Sequence, residues 1–457
     1  MPWPSGTRGG AASPHWGGYV RLWVRAALGA GRTWHMGPHA QDRLDAGNVL
    51  AGGPIIPGAD GTLWVDLSCD VLDVTVSGGA SASEGVFTKP DAATCVVTLA
   101  DPDRDYDPLN AQSPWAMGGT SRLTPGVKVD VFTEVVNGDD GSWTRRWLFT
   151  GTADSWAEDW TTRPQTRQCT LTATDTVKTF SSFHRPALTT AVGAGDTTQQ
   201  RIARVATEVG FTGTIEDGVG VTTHAATDFD TDGWEEMSHS LTGELGYVHF
   251  TGDGHLRWVG RDAYFDSTSP PVLALGCDPA MWDVLVDASP SPIDRQIRNA
   301  VFGQRPGGAV QSAMSTASIR KYGRYDFTRT DLDLATDAQV ATWVTTVLQK
   351  YAYPQVSLND LTMRPSIAAR SWDCWKQVLA VRMVSDLVRV HWVPPDRPDD
   401  APIDTVARVV GVQHTVTRHA WEVRWQLVDA SALLYSGLLF TMGPHANDRL
   451  DAGFVLG

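Results

Sequence analysis

The chain has 457 residues, 37 Lys and Arg against 52 Asp and Glu, a formal charge of −15, and 42% hydrophobic residues. This length suggests two to four domains, and the balance excludes charge-driven disorder and a basic nucleic-acid coat. No apolar run reaches the roughly 18 residues of a membrane-spanning helix, and Met1-Pro2-Trp3-Pro4-Ser5-Gly6 lacks the features of a signal peptide, so no membrane anchor is expected.

Cys69, Cys95, Cys169, Cys277 and Cys374 are far apart in the sequence and read as buried free thiols rather than a disulfide or zinc framework. The 44 Gly and 26 Pro, with abundant Thr and Val, describe short strands joined by turns. Nineteen Trp, and 31 Arg against six Lys, suit β cores and protein interfaces.

Residues 1–63 read as a Gly-rich N-terminal arm, with five Arg and two Asp in its first fifty positions. Strands are then predicted at Leu63–Leu67, Val71–Val76, Thr94–Leu99, Val127–Val135, Arg145–Gly151 and Gln168–Thr174, with a turn at Gly138–Gly141. They make a β-barrel or sandwich domain over 64–192.

Over 193–288 the period changes to that of an α+β insert. Asp196 is the expected cap of a helix with Ile202, Val205, Ala206 and Val209 on one face, ended by Gly210. A short helix over Trp234–Leu241 precedes a hairpin of Tyr247–Phe250 and Leu256–Val259.

A second β domain with a packed helix is expected over 289–435. Thr336 and Gln339 form a capping box. Val340, Trp343, Val344, Val347, Leu348 and Tyr351 then share one helix face that needs a sheet to cover it, and Pro354 ends the helix. Strands follow at Val356–Met363, Leu387–Val393, Val406–Thr417 and Trp421–Leu427, the last alternating apolar and polar. Residues 436–457 form a C-terminal arm. The fold class expected is mainly β with an α+β insert, multidomain, built of barrels or sandwiches.

Chemistry is scarce. There is no phosphate loop, G-x-S-x-G elbow, H-E-x-x-H or C-x-x-C, so neither an enzyme nor a cofactor is expected. Asp228, Asp230 and Asp232 copy the first half of a calcium loop, but His239 stands where the bidentate Glu belongs. The alternating Asp101, Asp103, Asp105 and Asp107 are a second acidic segment. In both, a solvated or self-capped turn is favoured over a metal.

The most specific feature is a repeat. Residues 36–50 recur at 442–456 with thirteen of fifteen positions identical. The copies carry Met36, Gly37, Pro38, His39, Arg43, Leu44 and Asp45, and again Met442, Gly443, Pro444, His445, Arg449, Leu450 and Asp451. Lying 406 residues apart, they are not neighbouring units of a solenoid; they read as two copies of a docking segment, one in each arm.

The segment Thr94–Asn110, with Asp101-Pro102-Asp103-Arg104-Asp105-Tyr106-Asp107-Pro108-Leu109-Asn110 at its end, is followed by Ser113-Pro114-Trp115 and by Leu123-Thr124-Pro125-Gly126-Val127. This order resembles the minor tail proteins of actinobacterial siphophages, in the tail-hub (baseplate hub, tail-tip) group. Their pattern is a strand, a D-x-D-G-R-[YF]-D-P-x-N turn, S-P, then L-x-P-G-x-x-V; Arg104 here takes the Gly place. Leu148–Gly151, Asp154–Trp156, Cys169–Asp175, Glu244–Gly246 and Lys321–Arg324 fit the same family in order, so the resemblance covers roughly residues 64–435.

The resemblance implies tail-tube-like β-barrels with an α+β insert and a threefold ring closing the tail tube. The partners would be further copies of the chain, the distal tail or tube-end protein, the tape measure and receptor-binding or fibre proteins, with DNA passing transiently. It also implies a location at the virion tail tip after assembly in the host cytoplasm. The alternatives are a distal tail or other tail ring protein, a carbohydrate-binding tail protein, and a tail-associated cell-wall hydrolase.

Overall fold

The structure is a computed structural model that describes residues 15–16, 20–28, 55–57, 63–79, 91–117, 120–136, 141–160, 166–184, 186–216, 218–265, 271, 273–275, 285–293, 297–365, 375, 378–379, 386–392, 403–417 and 419–429. Both repeat copies, Cys277 and Cys374 lie outside these residues.

Fifteen strands join in one sheet. Its path runs Leu285–Ile293, Gln355–Met363, Trp421–Asp429, Ile403–Thr417, Val71–Gly79 and Asp91–Ala100, then Gln168–Thr174, Trp143–Glu158, Lys128–Val136, Val20–Ala26, Leu63–Asp66 and Ile55–Pro57. All these neighbours are antiparallel. The fold is mainly β, as the composition indicated. Period-two alternation puts Val20, Leu22, Val24, Val97, Leu99, Leu171, Val423, Trp425 and Leu427 into a single apolar cluster. Burying each such side chain contributes about 1.5–3 kcal/mol.

Two features differ from the sequence reading. Val20–Ala26, expected in the N-terminal arm, is an interior strand paired with Lys128–Val136 on one side and Leu63–Asp66 on the other. Its apolar positions are 20, 22, 24 and 26; Arg21 and Arg25 between them mimic a basic arm when composition is averaged with the Gly-rich flanks. In addition, the β regions read as separate domains share one sheet and one core. The seam is formed by Ile403–Thr417 on Val71–Gly79, with Gly411 opposite Gly79 and Thr417 opposite Asp73.

The α+β insert stands on one side of the seam. Helices α1 (Val177–Ser181), α2 (Thr198–Val209) and α3 (Gly233–Glu244) pack around Phe180, Ile202, Trp234, Met237 and Trp258. The α2 cap is Thr197, whose hydroxyl accepts from the Gln200 amide while Gln200 reaches back. Asp196, the expected cap, instead takes both nitrogens of the Arg204 fork at 2.8 and 3.0 Å. The reciprocal box satisfies two helix-end donors, and the carboxylate is free to pair with the guanidinium. Gly210 ends α2 with φ +80°, as expected. The hairpin Tyr247–Phe250/Leu256–Val259 gains a short parallel strand, Ile215–Glu216.

After α4 (Arg261–Phe265), a three-stranded sheet of Gln311–Met314, Ala300–Gly303 and Asp326–Arg329 carries α5 (Thr316–Tyr322) and α6 (Asp337–Tyr351). The predicted capping box of α6 is present, and Val340, Trp343, Val344 and Val347 are buried in its cluster. The insert is pinned to the seam strand by Tyr247 Oη donating to Val410 O at 3.3 Å and Arg408 donating to Ala263 O at 2.9 Å. No described helix is long and apolar enough to cross a membrane.

Candidate functional site

The calcium candidate lies at the start of α3. Asp232 caps α3, accepting from the amides of Trp234 and Glu235 at 2.9 Å each, and Phe229 between the acidic residues takes φ +56°. Among the described residues, no group of three or more His, Cys, Asp or Glu could hold a metal. The repeat residues expected to dock cannot be placed, since they lie outside the described residues.

One arrangement has the connectivity of a nucleophile, base and acid. Thr198 Oγ1 lies 3.0 Å from His224 Nε2, and His224 Nδ1 lies 3.4 Å from Asp333 Oδ2. Its burial argues against that role, because Thr198 and His224 are both 0% exposed. The Thr198 hydroxyl donates to Glu244 Oε2 at 2.9 Å, and Glu244 also accepts from the Thr222 amide and hydroxyl. Asp333 accepts from Arg201 at 2.9 Å and from the Ala225 amide at 3.1 Å. The network locks the insert to the segment before α6. Thr198, His224 and Glu244 at its centre are buried and hydrogen-bonded, while Asp333 keeps 18% of its side chain exposed.

The alternating-Asp turn is a self-capped scaffold, as the sequence favoured. Asp101 accepts from the amides of Asp105 and Tyr106 at 2.6 and 2.9 Å, and Tyr106 Oη donates to Asp70 at 2.6 Å. Arg104 has φ +59°. This left-handed backbone is costly for a side chain. The Asn110 amide donates to Arg104 O at 2.7 Å, and the Arg104 guanidinium holds Asp107 and stands 4.8 Å over Trp160. Burial, and then the neighbouring Asp101, push the Glu158 carboxyl up to about 8.

A third feature was not foreseen in the sequence. The second face of the strands Val20–Ala26, Lys128–Val136 and Trp143–Glu158 carries a ladder of Arg, aromatic and acidic side chains. Across the strands, Arg21 lies opposite Glu134 and Glu134 opposite Arg145. Trp23 lies opposite Phe132, Phe132 opposite Trp147, and Arg25 opposite Asp130. Arg21 stands 3.9 Å over Trp143, Arg25 4.3 Å over Trp64, and Arg145 4.1 Å over Phe132. Trp23 Nε1 donates to Glu134 at 3.0 Å, and Arg25 donates twice to Asp130 at 2.7 and 3.0 Å. Burial raises the Asp130 carboxyl, opposed by Arg25.

Each stacked cation adds about 0.5–2 kcal/mol, and Trp and Arg are the residues that dominate protein interfaces. The sequence signal was present in the spacings Arg21-x-Trp23-x-Arg25 and Trp143-x-Arg145-x-Trp147. The register that joins them is set by strands more than 100 residues apart and cannot be read locally.

Comparison with solved structures places this architecture. The tail protein from Neisseria meningitidis MC58 superposes with a TM-score of 0.52 and 13% identity, covering 79% of this chain and 93% of that one. The chain has the fold of a tail protein. The prophage MuSo2 43 kDa tail protein from Shewanella oneidensis matches at TM-score 0.47 and 12% identity, over 79% of this chain and 95% of that one. The prophage tail protein gp18 from Listeria monocytogenes EGD-e matches at 0.42 and 11%, over 80% and 97%. No family model and no curated protein matches the sequence.

Proposed function

We propose that this chain is a non-enzymatic structural subunit of a phage tail tip: a hub protein of the kind found in actinobacterial siphophages, forming a threefold ring that closes the tube. In that place it contacts the distal tail protein, the tape measure and receptor-binding or fibre proteins, and it opens for DNA. The observation that carries the reading is the tail-protein fold shared over 79% of the chain. The Arg–Trp ladder supplies an interface-grade surface, and the burial of Thr198 and His224 favours structure over hydrolysis. A carbohydrate-binding tail protein would present several Trp in one open groove, whereas Trp160 is the one exposed Trp among those whose burial the structure describes.

Mass photometry of the purified protein, alone and with its tail neighbours, tests the proposal. The expected species has three times the 49.5 kDa chain mass. A monomer that persists in assembled tips overturns the hub reading, and sixfold symmetry moves the chain to a distal ring.

A further inference from the structure

The ladder face has bonding capacity left over. The Nε of Arg21 is buried with no hydrogen-bond acceptor among the described residues, while its guanidinium carbon sits 3.9 Å over Trp143. Arg145 keeps 44% of its side chain exposed and holds Glu134 only at 3.3 Å. A guanidinium with spare donors is best matched by a carboxylate, which accepts from its fork in charge-assisted bonds. Beside these donors, Trp143 and Trp147 are half-buried and offer aromatic surface. The face therefore fits a segment that carries carboxylates with an aliphatic side chain between them.

The chain itself contains such a segment. In the C-terminal repeat, Asp448-Arg449-Leu450-Asp451 places a leucine between two carboxylates. The repeat starts at Met442, with twelve residues between it and the end of the strand Trp421–Asp429. Twelve residues extend to about 40 Å. From Trp421–Asp429 to the nearest long ladder strand, Trp143–Glu158, the sheet path takes five steps, about 24 Å at 4.8 Å each. The leash can thus reach the ladder of its own chain or that of a neighbour in contact. The strand it leaves offers no equivalent surface, since its second face carries Glu422, Arg424 and Gln426, with Glu422 paired to Arg364 at 2.8 Å.

We propose that the Arg–Trp ladder of Val20–Ala26, Lys128–Val136 and Trp143–Glu158 is the docking site of the C-terminal repeat, residues 442–456. The Asp448 and Asp451 carboxylates engage Arg21 and Arg145, and Leu450 covers the Trp143–Trp147 surface. Tethering raises the effective concentration of the segment, so a modest intrinsic affinity suffices. The inference rests on the ladder and the repeat and does not depend on the tail-tip assignment.

The test uses the full chain with the photoreactive amino acid p-benzoylphenylalanine in place of Leu450. After irradiation, peptide mapping is expected to find most adducts on residues 20–26, 128–136 and 143–158. The double variant Arg21→Gln/Arg145→Gln should lower that yield at least fivefold while still melting in one cooperative transition, and Asp448→Asn/Asp451→Asn should lower it as much with an unchanged melting curve. Mixing isotopically labelled and unlabelled chains shows whether the adduct forms within one chain or between two, and either result supports the site. Adducts mainly elsewhere, none at all, or a yield that both double variants leave unchanged would overturn it.

Discussion

The two halves of the sheet resemble each other on one face and differ on the other. In the first half Val20, Leu22 and Val24 point into the shared core, as Val423, Trp425 and Leu427 do in the second. On the opposite face, the first half presents stacked Arg and Trp, whereas the strand Trp421–Asp429 presents Glu422, Arg424 and Gln426. The core face is constrained by the demand to exclude water, which any sheet packed on a core shares. The second face is less constrained, with Phe132 and Asp130 buried on it and Arg145 exposed. One half carries stacked cations and aromatic rings there, the other charged and amide side chains.

The largest expected effect probes this division directly. Trp425→Ala, at a site with 0% exposure, should cost about 3–5 kcal/mol of stability. Trp147→Ala, on the half-buried ladder, should cost about 1–2 kcal/mol. Urea denaturation of the two variants measures both, and equal losses would erase the distinction between a core face and a contact face.

A second, intermediate effect separates the halves by pH. Burial holds His414, in the second half, down at about 4, and His249 of the insert down at about 3. The unfolded chain then binds protons that the folded chain refuses, so stability is lost as pH falls from about 6.5 towards those values. In the first half, Asp175 is pushed up to about 7 and Glu158 to about 8, chiefly by burial. There the folded chain holds the extra protons, so stability is lost as pH rises from about 4 to 8. Thermal melts across pH 4–9 should show His249→Leu flattening the acid side and Asp175→Asn flattening the alkaline side. Unaltered limbs in both variants would break the assignment.

The smallest expected change is in Arg145→Gln. Its exposed pair with Glu134 should contribute under about 1 kcal/mol to folding, so its melting midpoint should stay near that of the parent chain. Loss of higher-order species in mass photometry without loss of stability would sharpen the view of this face as a contact surface. A large drop in stability would instead make the ladder a part of the fold.

Where elements are governed by local rules, the sequence was legible. The α6 capping box, the Asp253-Gly254 hairpin and the alternation of Trp421–Leu427 are decided by residues a few positions apart, and all three are present. The turn at Asp101–Asn110 was legible for the same reason, since its carboxylates serve amides four and five residues on. The strand Val20–Ala26 was hidden by its arginines, which a stacked aromatic face accommodates and an isolated reading assigns to an arm. The ladder was hidden because its rows exist only after Arg21 and Glu134 are brought opposite each other. The shared sheet was hidden by the distance between its seam strands.

That distance sets a timetable. Gly79 and its seam partner Gly411 are separated by more than 300 residues, and a ribosome adding about 5–20 residues per second needs tens of seconds to cross that interval. Until then the strand Val71–Gly79 can pair with Asp91–Ala100 alone, and its other edge stays open as a template for foreign strands. The chain therefore cannot complete its sheet as it emerges. Its last hundred residues close the first hundred, and a nascent chain halted before Ile403 leaves that edge uncovered.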